Sequence, residues 1–330
     1  MHRVLPFIAC CYLLISCSHK SNSSEKTAAP EIVSQTVAPV FNADSAYLFT
    51  QKQVDFGPRV PNTAPHAACA DYFIQEFTRF GAKVTEQKAD ITNYAGIVLH
   101  ARNIIASYQP ENKDRVLLFA HWDTRPYADH DANPENWRTP IDGANDGASG
   151  CGVLLEVARQ ISAQQPNVGI DIILFDAEDW GVPRFDSRIS SESGYCLGSK
   201  YWSKNPHIPG YTARYGILLD MVGAPNARFH KEGYSKQYAP RILNKVWDTA
   251  QSLGFGTYFI NSDGGLIEDD HLQVIKNLNI PCIDIIQYDP EGNTGFGSYW
   301  HTLDDTMDNI SKETLYAVGQ TVLQVIYSEK

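Results

Sequence analysis

IDIILFDAED, residues 170–179, runs a short apolar stretch straight into three acids in four positions, Asp176, Glu178 and Asp179. A stretch that is apolar without alternation, bounded by polar residues, suits a strand buried on both faces of a largely parallel sheet. Its end is costly. Like charges so close repel one another, and a carboxylate taken out of water is expensive. Either the strand simply reaches solvent at that point, or something positive waits there, such as a metal ion.

RVLLFAHWD, YGILLDMVG and IPCIDIIQYD read as strands of the same kind. Helical patterns alternate with them. HAACADYFIQEFTRFG sets Phe73, Phe77 and Phe80 along one face, with Gly81 as its stop. DGASGCGVLLEVARQIS repeats Leu154, Val157, Ala158 and Ile161, with Asp146 placed to cap its start. PRILNKVWDTAQSLG and SKETLYAVGQTVLQVIYS are likewise amphipathic. The alternation predicts an α/β three-layer sandwich, a mostly parallel central sheet flanked by helices. Ligands in such sheets sit beyond the carboxyl ends of the strands.

The chain has 330 residues, 43% of them apolar, enough for a sizeable core. Its net charge of -11 argues against a nucleic-acid partner, which would need a basic footprint. The N-terminus reads as a targeting segment. Arg3 precedes the apolar run VLPFIACCYLLI, too short to span a membrane as a mature anchor. The run ends in LISC, Leu14 to Cys17, and a polar tether follows. This resembles a bacterial lipobox, cut before Cys17 and lipidated on it; an ordinary secretory signal is the alternative. The expected organisation is a signal peptide at 1–16, a lipidated Cys17 and tether at 17–40, and one folded domain at 41–330. Ser18 after the cysteine points to periplasmic exposure on the outer membrane, held by the lipid alone. Cys69, Cys151, Cys196 and Cys282 remain; an exported protein could pair them, but spacing does not say how.

Four strands each lead to ligand-type residues. FAHWD supplies His121 and Asp123, FDAED supplies Glu178 and Asp179, and ILLDMVG supplies Asp220. IDIIQYD leads through a Gly-rich loop to YWHTLDD and His301, and the loop IDGANDGASG carries Asp146. His121, Asp146, Asp179, Asp220 and His301 are expected to converge at one sheet edge. Imidazole with carboxylate is a zinc set, whereas calcium prefers oxygens alone. Glu178, beside a ligand but not needed as one, is placed for proton transfer. Asp176 reads as structural, Asp123 as an acid that orients a neighbour, and Trp137, Trp202 and Trp247 as packing.

The ordered series of HxD, Gly-flanked Asp, Glu-Asp, Asp and late His resembles the zinc-dependent aminopeptidase clan of the M28 type, over roughly residues 45–330. Within it, DMVGAPNARF, the run Glu268 to His271, and Trp300 in WHTLDDT are similar to the glutaminyl cyclase branch. That resemblance implies one zinc per chain on Asp146, Asp179 and His301, with Glu178 as acid/base. Asp220 and Asp269 are implied as its hydrogen-bonding partners. Trp300 becomes a wall of the substrate pocket; Trp180, directly after Asp179, is a candidate second aromatic whose place in the pocket the sequence leaves open. The implied reaction turns the N-terminal Gln of peptides and proteins into pyroglutamate with release of ammonia. A di-zinc aminopeptidase, with His121 and Asp220 as further ligands, is the main rival. A binding protein without turnover is disfavoured by the intact Glu178.

Overall fold

The stretch that opened the reading forms strand β4 (Gly169–Phe175) inside a six-stranded sheet in the computed structural model of the chain, which describes residues 37–187, 194–292 and 294–330. β3 (Arg115–His121), β5 (Gly216–Asp220) and β8 (Cys282–Ile286) complete a parallel block, in the spatial order β4-β3-β5-β8. Every residue of these four strands is buried. Leu118, Ala120, Ile172 and Leu174 face one apolar cluster, while Leu117, Phe119, Ile173 and Phe175 face another. Both faces being covered, most successive residues are apolar, so no alternation marks these strands in sequence; a buried charge within them, such as Asp171, is paired, here with Arg115.

The two clusters are the two helical layers. α1 (Ala43–Val54), α2 (Ala64–Arg79), α3 (Ala148–Ala163), α6 (Pro240–Ser252) and α8 (Lys312–Tyr327) line the first. α4 (Leu197–Lys204) and α7 (Asp270–Leu278) cover the second. Trp202 and Trp247 are packed inside these layers, as expected. Gly81, with φ +77°, ends α2 in the left-handed conformation that a residue without Cβ adopts at low cost.

Two features depart from the sequence reading, and a third concerns a point it left open. A long antiparallel hairpin, β1 (Lys83–Thr92) and β2 (Val98–Tyr108), extends the sheet on the β4 side. β1 is an edge strand with most of its residues wholly or partly exposed, so it lacks the apolar run that marks the parallel block. Asp146 does not cap α3: the helix starts at Ala148 after Gly147, without a side-chain cap. Gly147 turns there at φ +100°, where a Cβ would meet the Asp123 carbonyl oxygen at 2.6 Å, and this turn frees Asp146 to face elsewhere. Finally, Cys69, Cys151, Cys196 and Cys282 are all buried and unpaired. Cys17, the signal segment and the tether up to residue 36 lie outside the described residues. No helix among the described residues is long and apolar enough to cross a membrane.

Candidate metal centre and active site

Strand register brings the polar termini together. His121 on β3 pairs with Phe175, the last residue of β4, and Asp220 closes β5 opposite Ile286 of β8. The chain bends sharply beside them: Ala177 (φ 53°), Met221 (φ 48°) and His301 (φ 55°) sit in the left-handed region without being glycine. Such conformations persist only where neighbours hold them. Asp176 accepts from the backbone N–H of Arg102 (2.6 Å) and Ala177 (2.7 Å) and meets His66 Nε2 at 2.8 Å, a structural role as read. Asp123 accepts from the N–H of Glu178 (2.9 Å) and of Asp179 (3.2 Å), so the neighbour it orients is their backbone. Asp305 accepts from the N–H of Asn145 (2.7 Å) and Asp146 (3.0 Å), fixing the glycine-rich loop.

Of three sets of ligand-type groups among the described residues, two share Asp146, namely Asp146 with Asp179 and His301, and His121 with Asp146 and Asp220; Glu178, Cys196 and Asp269 make the third. In the first, His301 Nε2 lies 3.3 Å from Asp179 Oδ1 and 3.5 Å from Asp146 Oδ2. Two ligands of a tetrahedral zinc ion are about 3.3 Å apart, so this spacing suits one. In the second, His121 Nε2 lies 3.0 Å from Asp146 Oδ1 and 3.3 Å from Asp220 Oδ1. The residues fit a cation by a further test. Asp179 Oδ2, Asp220 Oδ1 and His121 Nε2 are buried without a well-directed hydrogen bond. Groups so placed are expensive unless something satisfies them.

The electrostatics answer the opening question. Burial pushes the carboxyls of Asp179 and Asp220 up to about 7, against the opposing pull of Arg125 and His121 on the first and of His121 on the second. Burial also depresses His301 well below its usual value, with Arg125 adding to the effect. His121 resists its own burial and is held well above its usual value by Asp123, Asp146 and Asp220. Carboxyls that ionise so reluctantly give up their protons when a cation takes their place.

Glu178 belongs to neither of the sets that share Asp146. Its Oε1 accepts from the Cys196 thiol at 3.1 Å, and Asp269 approaches the same pair. Burial holds the Glu178 carboxyl well above its usual range; His121 opposes this, and Asp269, Asp179 and Asp270 add to it. Asp269 also accepts from the Asp270 N–H, capping α7. Asp220 lies against His121 and shares the cleft with Glu178 and Asp269. The cleft encloses about 530 Å³, and Trp300 forms a wall of it, stacked on His301 with ring centroids 3.7 Å apart. Trp180 does not line this cleft. It is 7% exposed and packs with Val60, Leu99, Ala101 and Ala177 towards the β2 side. The turn after β4 sends Asp179 to the site and Trp180 away from it, because successive extended residues point in opposite directions.

Three residues at the site carried no signal in sequence. Cys196 contacts Glu178 from 18 positions away. Arg125 donates to Asp179 Oδ1 at 3.0 Å, and Asp129 accepts from Arg125.

The family described as peptidase family M28 matches residues 103–326. The chain belongs to peptidase family M28. Among solved structures, a Zn-dependent exopeptidase from Parabacteroides distasonis is 60% identical, with a TM-score of 0.88 over 89% of this chain and 100% of that one. Tannerella forsythia glutaminyl cyclase is 59% identical, with a TM-score of 0.87 over 88% of this chain and 100% of that one. The glutaminyl-peptide cyclotransferase of Bos taurus is 28% identical over 260 residues, 69% of this chain and 65% of the bovine protein. The chain thus spans just under two thirds of that bovine relative's length. The α/β sandwich and the imidazole–carboxylate set are those of a zinc-dependent M28 protein, as the resemblance implied.

Proposed function

We propose that the chain is a glutaminyl cyclase, converting N-terminal Gln of peptides and proteins to pyroglutamate with release of ammonia. The reading is supported by the likeness to T. forsythia glutaminyl cyclase, 59% identical over the whole of that chain, taken together with Glu178, Asp269 and Trp300 lining one cleft beside the proposed ligands. One zinc per chain on Asp146, Asp179 and His301 is the proposed cofactor: their spacing suits a tetrahedral ion, and the choice of one ion over a second at His121 and Asp220 follows the resemblance to glutaminyl cyclases. When bound, the ion supplies a Lewis acid for the substrate's γ-carbonyl.

The chain's own residues do the rest. The α-nitrogen of the substrate forms a bond to its own Cδ, and the Cδ–amide nitrogen bond breaks. Nucleophile and electrophile share one residue, so the site has mainly to fold the side chain back on itself. The Trp300 wall confines that side chain. Glu178 takes a proton from the attacking amine and returns it to the departing ammonia. Burial and the neighbouring acids hold its pKa above the usual carboxylate range, which favours carrying that proton between the two nitrogens. Asp269 and Asp220 share the cleft and help hold that proton in place.

One assay tests the reading: the protein is incubated with a Gln-leading peptide and, separately, with a leucine amide. Ammonia and a pyroglutamyl product from the first, with no free leucine from the second, are expected. Free leucine, together with two firmly held zinc ions per chain, would assign the peptidase activity instead. We further propose a lipid on Cys17 that anchors the domain in the periplasm. Cys17→Ser should leave the membrane fraction while keeping its activity; wild type found soluble would end that part.

A further inference from the structure

We propose that Arg125 and Asp129 form a buried clamp that positions two metal ligands at once, Asp179 and His301. The proposal rests on the metal reading given above and concerns residues that reading leaves unused. Both are 1% exposed. The Arg125 guanidinium grips Asp129 with a fork, Nε to Oδ1 at 2.7 Å and Nη2 to Oδ2 at 3.0 Å. Its remaining arm, Nη1, donates to Asp179 Oδ1 at 3.0 Å. The Tyr195 ring lies 5.5 Å from the guanidinium carbon.

The geometry explains why an arginine is present. A planar fork holds two carboxylates in fixed relative orientation, which an ammonium point charge does not do. Asp179 cannot rotate about its Cβ–Cγ bond without losing Nη1. Asp129 is fixed in turn, because its Oδ2 also accepts from the Arg184 N–H at 2.8 Å. Its Oδ1 lies 3.8 Å from His301 Nδ1, close enough for charge attraction but beyond hydrogen-bond reach, and that buried nitrogen has no hydrogen-bond partner. The backbone supports the same contact: His130 N–H donates to the His301 carbonyl at 3.0 Å. A carboxylate behind a metal-binding imidazole fixes its ring orientation and tautomer. One arginine thereby links the ligand from the β4 end to the ligand from the loop before α8.

A buried ion pair with a merely structural role would predict lower stability but unaltered metal binding. The test therefore reads the metal. Wild type, Asp129→Asn, Arg125→Met and Arg125→Lys are stripped of metal, checked for fold by near-UV circular dichroism, and titrated with zinc against a competing chelator. Each is also loaded with cobalt(II), whose visible spectrum reports ligand geometry. Folded Asp129→Asn should bind zinc about 10- to 100-fold more weakly and show a displaced cobalt spectrum. Arg125→Lys keeps the charge but not the fork, and should fail to restore either. If Arg125→Met does not fold, Asp129→Asn and Arg125→Lys decide the matter. Wild-type affinity and spectrum in folded Asp129→Asn, or full rescue by Arg125→Lys, overturn the clamp. A wild-type protein that binds no zinc overturns the metal reading, and the clamp with it.

Discussion

Glu178 and Asp179 are neighbours in sequence and opposites in role, which makes them separable by mutation. Glu178→Gln keeps the side chain's size but cannot move a proton. General acid–base catalysis typically contributes about 10²–10⁴-fold, so turnover of a Gln-peptide should fall by that range while zinc content stays at the wild-type level. Asp179→Ala should lose zinc and activity together, since one of the three proposed protein ligands is gone. Cyclisation at a near-normal rate by Glu178→Gln would remove the proposed acid/base. At this scale, the residues legible in sequence were those that close a strand or sit in a glycine loop: His121, Asp146, Asp179, Asp220, and Glu178 itself. Arg125 and Cys196 were not legible because each acts through another residue, 54 and 18 positions away. Chain proximity carries no trace of such contacts. Trp180, whose place the sequence left open, packs instead with Val60, Leu99, Ala101 and Ala177: adjacency to a ligand does not place a residue in the pocket.

The elements divide by how they are buried. The parallel strands were readable because both faces are covered, and the hairpin β1–β2 was not, because β1 is largely exposed. Between β5 and β8 the chain makes a small parallel pair, β6 (Phe229–Lys231) and β7 (Phe259–Asp263), and a short helix, α5 (Gly233–Tyr238). One buried acid organises this region. Glu232 accepts from the N–H of Tyr234 (2.8 Å) and Ser235 (2.6 Å) at the start of α5, and from the N–H of Ile267 (3.0 Å). Ile267 lines the cleft two residues before Asp269, so the cap also fixes the approach to the site. Burial alone would raise the Glu232 carboxyl, but His271 and these donors outweigh it and hold it at about 2, against 4.5 when free. The folded pKa lies below the unfolded one, so the contribution is complete above about pH 4.5 and drains away as pH falls towards 2. A shift of this size corresponds to about 3 kcal/mol. Urea unfolding should find Glu232→Gln less stable than wild type by about 1–3 kcal/mol at neutral pH. The gap should be roughly halved at pH 3. An equal gap at both pH values would show that the ionised cap is not what stabilises the folded chain.

The proposed metal set joins parts of the molecule far apart in the chain: the segment just after β4, the glycine-rich loop, and the segment before α8, with His121 and Asp220 from the ends of β3 and β5 beside them. A cation that binds only where these groups are assembled stabilises the folded chain over the unfolded one, by about 4 kcal/mol when its free concentration is 1,000 times its dissociation constant. In domains of 150–250 residues each kcal/mol moves the melting temperature by about 2–4 °C, so removing zinc should lower it by roughly 10 °C. The sign of the pH dependence follows from the site itself. Without a cation, burial holds Asp179 and Asp220 up to about 7, so protons compete with the metal below that value. The melting gap between zinc-loaded and stripped protein should therefore be wider at pH 8 than at pH 6. Calorimetry on both forms, with zinc counted by elemental analysis, checks the size of the gap and its direction. If fully stripped protein melts with the loaded protein at both pH values, the buried acids at the strand ends are satisfied without a metal.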